Sequence, residues 1–148
     1  MDSVSDVAKT IQTAVAPVFF LAAISSFLNV LAGRLTRIVD RARRLENLHG
    51  ASTGPAHALQ VDELRQLDRR MQIVSHAIVL SVGSAIAICL VIAALFVAEL
   101  ARYDLADLAA VIFLIALLLL VASLVNFLIE VRLAIRTIRV REALLEKD

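Results

Sequence analysis

Three long apolar stretches divide the chain, Ile11 to Gly33, Ile73 to Leu100 and Leu108 to Ile129. Each reaches the roughly 20 residues that a helix needs to cross about 30 Å of hydrocarbon. The pattern predicts an all-α protein with three transmembrane spans, at about 11–33, 73–100 and 108–129, in a single integral membrane domain covering 1–148. The apolar positions do not stop where the spans do. Leu28, Leu31, Leu35, Ile38, Ala42 and Leu45 recur at alternating intervals of three and four, and Leu64, Leu67, Met71, Val74 and Ile78 repeat that spacing. This is a coiled-coil seam, so helices one and two are expected to continue out of the bilayer as the arms of an antiparallel hairpin over 34–72. Its tip is expected at His49 to Ala58, where Gly50, Gly54 and Pro55 break the period and Thr53 or Gly54 can cap a helix beginning at Pro55. Past the third span, Val131, Ile135 and Ile138 share a face beside Arg132, Arg136 and Arg139. An amphipathic helical extension over 130–148 follows. Pro17 interrupts the first run by removing a backbone donor, so either the helix kinks there or Val4 to Val15 is a separate interfacial segment.

Charge orients this arrangement. Eight Arg lie between spans one and two and five Lys or Arg follow Ile129, against Lys9 and Arg102 on the other side. By the positive-inside rule the N-terminus is outside and the hairpin and C-terminus are cytoplasmic, as expected for a multi-pass protein of a bacterial inner membrane. The formal net charge of +1 conceals the asymmetry, because acidic residues are mixed among the arginines. Sixty per cent hydrophobic residues and a mean hydropathy of +0.84 exclude an ordinary soluble domain. The opening segment carries Asp2, Asp6 and Lys9 and lacks the basic start of a cleavable signal, so the first span is expected to stay attached. Cys89 is the only cysteine, which excludes an intrachain disulfide and fits an inert small hydrophobe.

Chemistry has to come from polar residues within or beside the spans. Ser26, Asn29, Gly33 and Arg37 follow one another at three- and four-residue intervals on helix one and are candidates to line a polar pathway. Asn29, His76 and Asn126 lie at similar depth on three different helices. His76, Asn126 and Glu130 are therefore candidates for a gate or for an interhelical polar layer that merely holds the helices together. Glu130 lies at the rim beside Arg34, Arg70 and Arg132, where an unpaired carboxylate is costly, and is expected to pair with Arg34 or Arg37. Arg34, Arg37, Arg41 and Arg44 form a stripe, with Asp40 close by and Asp62, Glu63 and Asp68 on the facing arm. Either the stripe is a solvated face, or Arg34, Arg41 and Arg44 dock anionic lipid or a protein partner. Enzyme signatures, phosphate loops and metal-ligand spacings are missing, and His49 and His57 sit in the tip without neighbouring carboxylates. No catalytic residue, metal, cofactor or nucleic-acid partner is expected.

Pro17, Phe20, Leu21, Leu28-Asn29-Val30, Arg34-Leu35, Arg37-Ile38, Asp40-Arg41, Arg43 and Leu45 together, with Arg69-Arg70 and Glu130-Val131 later, carry a likeness. The chain resembles a widespread family of small bacterial inner-membrane proteins built on a domain of unknown function with three predicted spans. The resemblance implies a fold and brings no activity. The expected function is a homo-oligomeric ion channel or transport component with helix one on the axis. The alternative is a non-conducting scaffold or accessory subunit that uses the hairpin to hold a partner or anionic lipid. Reporter fusions after Lys9, at Gly54 and after Asp148 test the topology. The first should read external and the other two cytoplasmic; any reversal contradicts it.

Overall fold

The computed structural model of the protein describes residues 2–49, 55–101 and 104–142. They form three helices, α1 (Asp2–His49), α2 (Pro55–Ala101) and α3 (Ala106–Glu142), and no strand occurs among the described residues. The fold class is all-α. Each helix holds a segment long and apolar enough to cross a membrane, Ile11–Asn47, Gln60–Ala101 and Ala106–Ile135. All three outrun their apolar stretches because the charged continuations keep the helical period. Pro17 lies inside α1, which continues through it, so the segment before Pro17 is not a separate element. α2 starts at Pro55, where a fixed φ suits the first turn and the missing N–H costs nothing. Asp104 starts α3: its Oδ1 accepts the Ala106 N–H at 3.2 Å, and the Ala109 N–H reaches the Leu105 carbonyl at 2.9 Å. Asp107 in the first turn complements the helix dipole. The expected tip residues Gly50, Thr53 and Gly54, and the tail from Ala143 onward, lie outside the described residues.

Burial follows a seven-residue rule on every helix. Pro17, Ile24, Leu31, Ile38 and Leu45 are buried on α1; Leu67, Val74, Ser81 and Ile88, and in parallel Ala77, Ser84 and Val91, are buried on α2; Ala109, Ala116, Ser123 and Glu130 are buried on α3. Seven-residue spacing is that of knobs-into-holes packing, in which a helix returns the same face to its neighbours every two turns.

The chain forms two compact units, one of Met1–Asn29 with Val79–Ser123 and one of Val30–Ile78 with Leu124–Asp148. In the first, Ile24, Ala87, Ile88 and Ala116 make the core, with Phe20 and Phe113 meeting edge to face at 5.9 Å and 66°. Small residues on α3 let the helices approach, and the buried hydroxyls are satisfied. The Ser81 and Ser123 hydroxyls are 2.8 Å apart, and Ser84 donates to the Ala116 carbonyl at 2.8 Å. In the second unit Ile38, Ala42 and Leu45 pack on Leu67 and Val74, with Leu35, Leu64, Met71 and Ile78 around them. Both apolar seams predicted from the sequence are consumed inside this one chain.

Only 22, 28 and 17 % of the most apolar stretches of α1, α2 and α3 is buried within the chain, and Phe19, Val79, Leu100 and Leu118 are largely exposed. Such a surface requires hydrocarbon or further protein around it. Lipid tails replace lost contacts at exposed positions but cannot fill a cavity, so the two kinds of apolar site should differ on truncation. Ile88→Ala, at a position with 0 % exposure, is expected to cost about 2 kcal/mol or more of stability in detergent, and Leu90→Ala, 54 % exposed, under about 0.5. Equal melting losses for the two would contradict the packing described.

Candidate functional site

The small-residue seam of α3 ends in an acid. Glu130 continues the series Ala109, Ala116, Ser123 and is fully buried, with 0 % exposure. Two arginines reach it, and the sequence positions them alike. Arg34 follows buried Leu31 by three residues and precedes buried Ile38 by four, while Arg70 stands in the same relation to Leu67 and Val74. Each therefore sits on the shoulder of its helix, with a long side chain able to turn inward. Arg34 Nη1 donates to Glu130 Oε2, and Arg70 Nη2 donates to Oε1 at 2.8 Å, so each carboxylate oxygen has its own guanidinium. The Arg34 guanidinium also lies 5.0 Å from the Phe127 ring centroid. Charge-assisted bonds of this kind offset the cost of burying the carboxylate, and losing a partner leaves an uncompensated charge.

Beside this pair of bonds is a recess of about 330 Å³ lined by Arg34, Arg37, Ile38, Arg41, Leu67, Arg70 and Glu130. Four arginines against one carboxylate leave three positive charges in excess. Glu63 lowers this to two by accepting bonds from Arg41 Nε at 3.0 Å and Nη2 at 2.7 Å, in a largely exposed pair. Arg70 Nε is buried without a hydrogen-bond partner. The protein thus leaves a donor unsatisfied on an arginine that lines the recess.

The residues singled out from the sequence fall into three groups. Arg34, Arg37, Arg41 and Glu130 come together at the recess, and the pair expected for Glu130 with Arg34 or Arg37 forms with Arg34. Ser26 and Asn29 of the first unit, and Gly33, Arg44 and His76 of the second, are exposed. Ser26 donates to its own helix at the Ala22 carbonyl, 3.1 Å away, and the His76 ring donates from Nδ1 to the Gln72 carbonyl at 2.7 Å. Asn126 is half-buried. Of the acids expected to face the arginine stripe, Glu63 does so, while Asp62 and Asp68 accept from Gln66 and Gln72 on α2 itself. Among the described residues no group of His, Cys, Asp and Glu is placed to hold a metal ion. Sequence reasoning placed Arg70 at the rim beside Glu130 but did not name it as a partner, although its spacing from Leu67 and Val74 matches that of Arg34 from Leu31 and Ile38.

Glu130→Gln keeps the shape of the side chain and removes the charge that two arginines share. It is expected to cost about 3 kcal/mol of stability in detergent, whereas Arg41→Gln, which breaks an exposed pair, should cost under about 1. A Glu130→Gln protein that melts like the parent would show that Glu130 is not held as described.

The family described as "Protein of unknown function (DUF2721)" matches residues 14–140, which takes in every residue of the recess and most of the chain. No curated protein and no solved structure matches. The likeness read from the Pro17 to Leu45 motifs and from Glu130-Val131 is therefore one of membership: this three-helix membrane protein belongs to the DUF2721 family.

Proposed function

We propose that the protein is a non-enzymatic homo-oligomer of a bacterial inner membrane, with its N-terminus outside and its C-terminus cytoplasmic, that acts as an ion channel or transport component with α1 toward the axis. The observation that carries this reading is the exposure of the polar positions of α1. Asn29 lies in the apolar part of the helix with its side chain exposed, a costly position against lipid and a favourable one against water or another subunit. Gly33 supports it, since a Cβ there would meet nothing within 4 Å, so the chain itself makes no use of the missing side chain. A helix from a second copy would. The seam at Ile38, Ala42 and Leu45 is already occupied, which leaves the opposite side of α1 for subunit contacts. Arg37, exposed on the recess, would favour anions in the path.

The second reading, a non-conducting scaffold or accessory subunit, is favoured by the same recess, whose arginine excess suits an acidic partner or lipid as well as a passing ion. Purified protein in a planar bilayer separates the two. The channel reading expects a current biased toward anions, lost in Asn29→Leu and shifted toward cations in Arg37→Glu, and crosslinked oligomers that Gly33→Leu weakens. No current in any salt gradient would remove the channel, and purely monomeric protein in mild detergent would remove the oligomer.

A further inference from the structure

We infer that the recess of Arg34, Arg37, Arg41 and Arg70 is a binding site for the phosphate of an anionic phospholipid headgroup. The inference concerns the second unit alone and is independent of conduction. Its first ground is charge: two positive charges remain in excess, after Glu130 and Glu63 are counted, around a cavity whose size is at the lower end of the roughly 300–1,000 Å³ typical of small-molecule sites. Glu130 engages Arg34 and Arg70 and Glu63 engages Arg41, so Arg37 contributes a whole guanidinium to the recess and Arg70 an Nε with no acceptor. A phosphate presents several acceptor oxygens to planar donors of this kind, and arginine binds it with geometric specificity that a single point charge lacks.

The second ground is where the charges stop. Gly33 passes to Arg34 on α1, Arg70 is followed within three residues by Ile73 on α2, and Ile129 passes to Glu130 on α3. On every helix the recess sits at the switch from apolar run to charged continuation, the level at which a headgroup meets its acyl chains. Val30, one turn before Arg34, is 50 % exposed, and Leu128 and Ile129 next to Glu130 are 50 % and 45 % exposed. A soluble anion has no use for such neighbours. A lipid has both a phosphate for the arginines and tails for these side chains.

The test is lipid retention by purified, delipidated protein in mild detergent, offered phosphatidylglycerol or phosphatidylcholine, read by native mass spectrometry, with inorganic phosphate as a competing arm. Both lipids carry the phosphate, but the choline cation of phosphatidylcholine is repelled by the arginine excess, so phosphatidylglycerol should be preferred about tenfold, and Arg37→Gln should abolish most of that preference with unchanged melting. Arg70→Lys keeps a cation for Glu130 but lacks the Nε donor, and should also bind less while remaining folded. Arg44→Gln, exposed and outside the recess, should bind like the parent. Equal retention of the two lipids, or equal losses for Arg37→Gln and Arg44→Gln, would overturn the site. Inorganic phosphate that binds without lipid and strips phosphatidylglycerol would assign the recess to a soluble anion and overturn the lipid. A bilayer current together with equal retention of the two lipids would leave the channel reading standing without the lipid site, and preferred retention of phosphatidylglycerol without current the reverse.

Discussion

A single carboxylate with no exposure to solvent sets the requirements for the second unit. Glu130 occupies a position that the α3 seam otherwise gives to Ala and Ser, and at that position a charge is tolerable only if guanidinium groups arrive from elsewhere. Arg34 and Arg70 come from different helices, so the carboxylate joins α1, α2 and α3 at one point. Hydrophobic residues of similar size would pack as tightly, which makes a burden of this kind poor as a stabiliser and good as a device for register: a shift of either arginine by one residue turns it off its shoulder and leaves Glu130 unpaired. The arginine excess over Glu130 then has to face outward, and the recess is the result.

The first unit solves a milder version of the same problem. Between helices surrounded by lipid there is little hydrophobic drive, and association rests on close packing and on hydroxyls that bond across helices. The alanines of α3 permit the approach, Ser81 and Ser123 bond to each other, and Ser84 takes a carbonyl. These groups are spent on structure, whereas Asn29 and Arg37, on exposed surface, keep their capacity for ligands or for a second copy.

Much of this was legible. Apolar runs long enough to span a bilayer, the three-four spacing from Leu28 to Leu45, and a proline suited to open α2 are local signals, and the helices follow them. The Glu130 pairing with Arg34 was legible too, because a carboxylate at the end of an apolar run needs a cation and few are near. Arg70 was placed beside Glu130 but not named as its partner, because a charge next to Arg69 and Asp68 reads as solvated face; only the burial of Leu67 and Val74 on either side turns it inward. The expected layer of Asn29, His76 and Asn126 rested on depth alone. Depth does not determine azimuth, and His76 turns outward to its own helix's Gln72 carbonyl. The seven-residue series ending in Glu130 was present in the sequence and marks the acid as buried, but a seam of Ala and Ser is a weak signal in a helix that is apolar on all sides.

The claim on which the rest depends is that Glu130 is coupled to an arginine of another helix. A double-mutant cycle with Arg70→Gln and Glu130→Gln, measured as unfolding free energy in detergent, isolates that coupling from the general effect of each change. A coupling energy of about 2 kcal/mol, with the double variant more stable than the sum of the single losses implies, is the predicted result. Additive losses, with coupling below about 0.5 kcal/mol, would contradict a shared buried carboxylate.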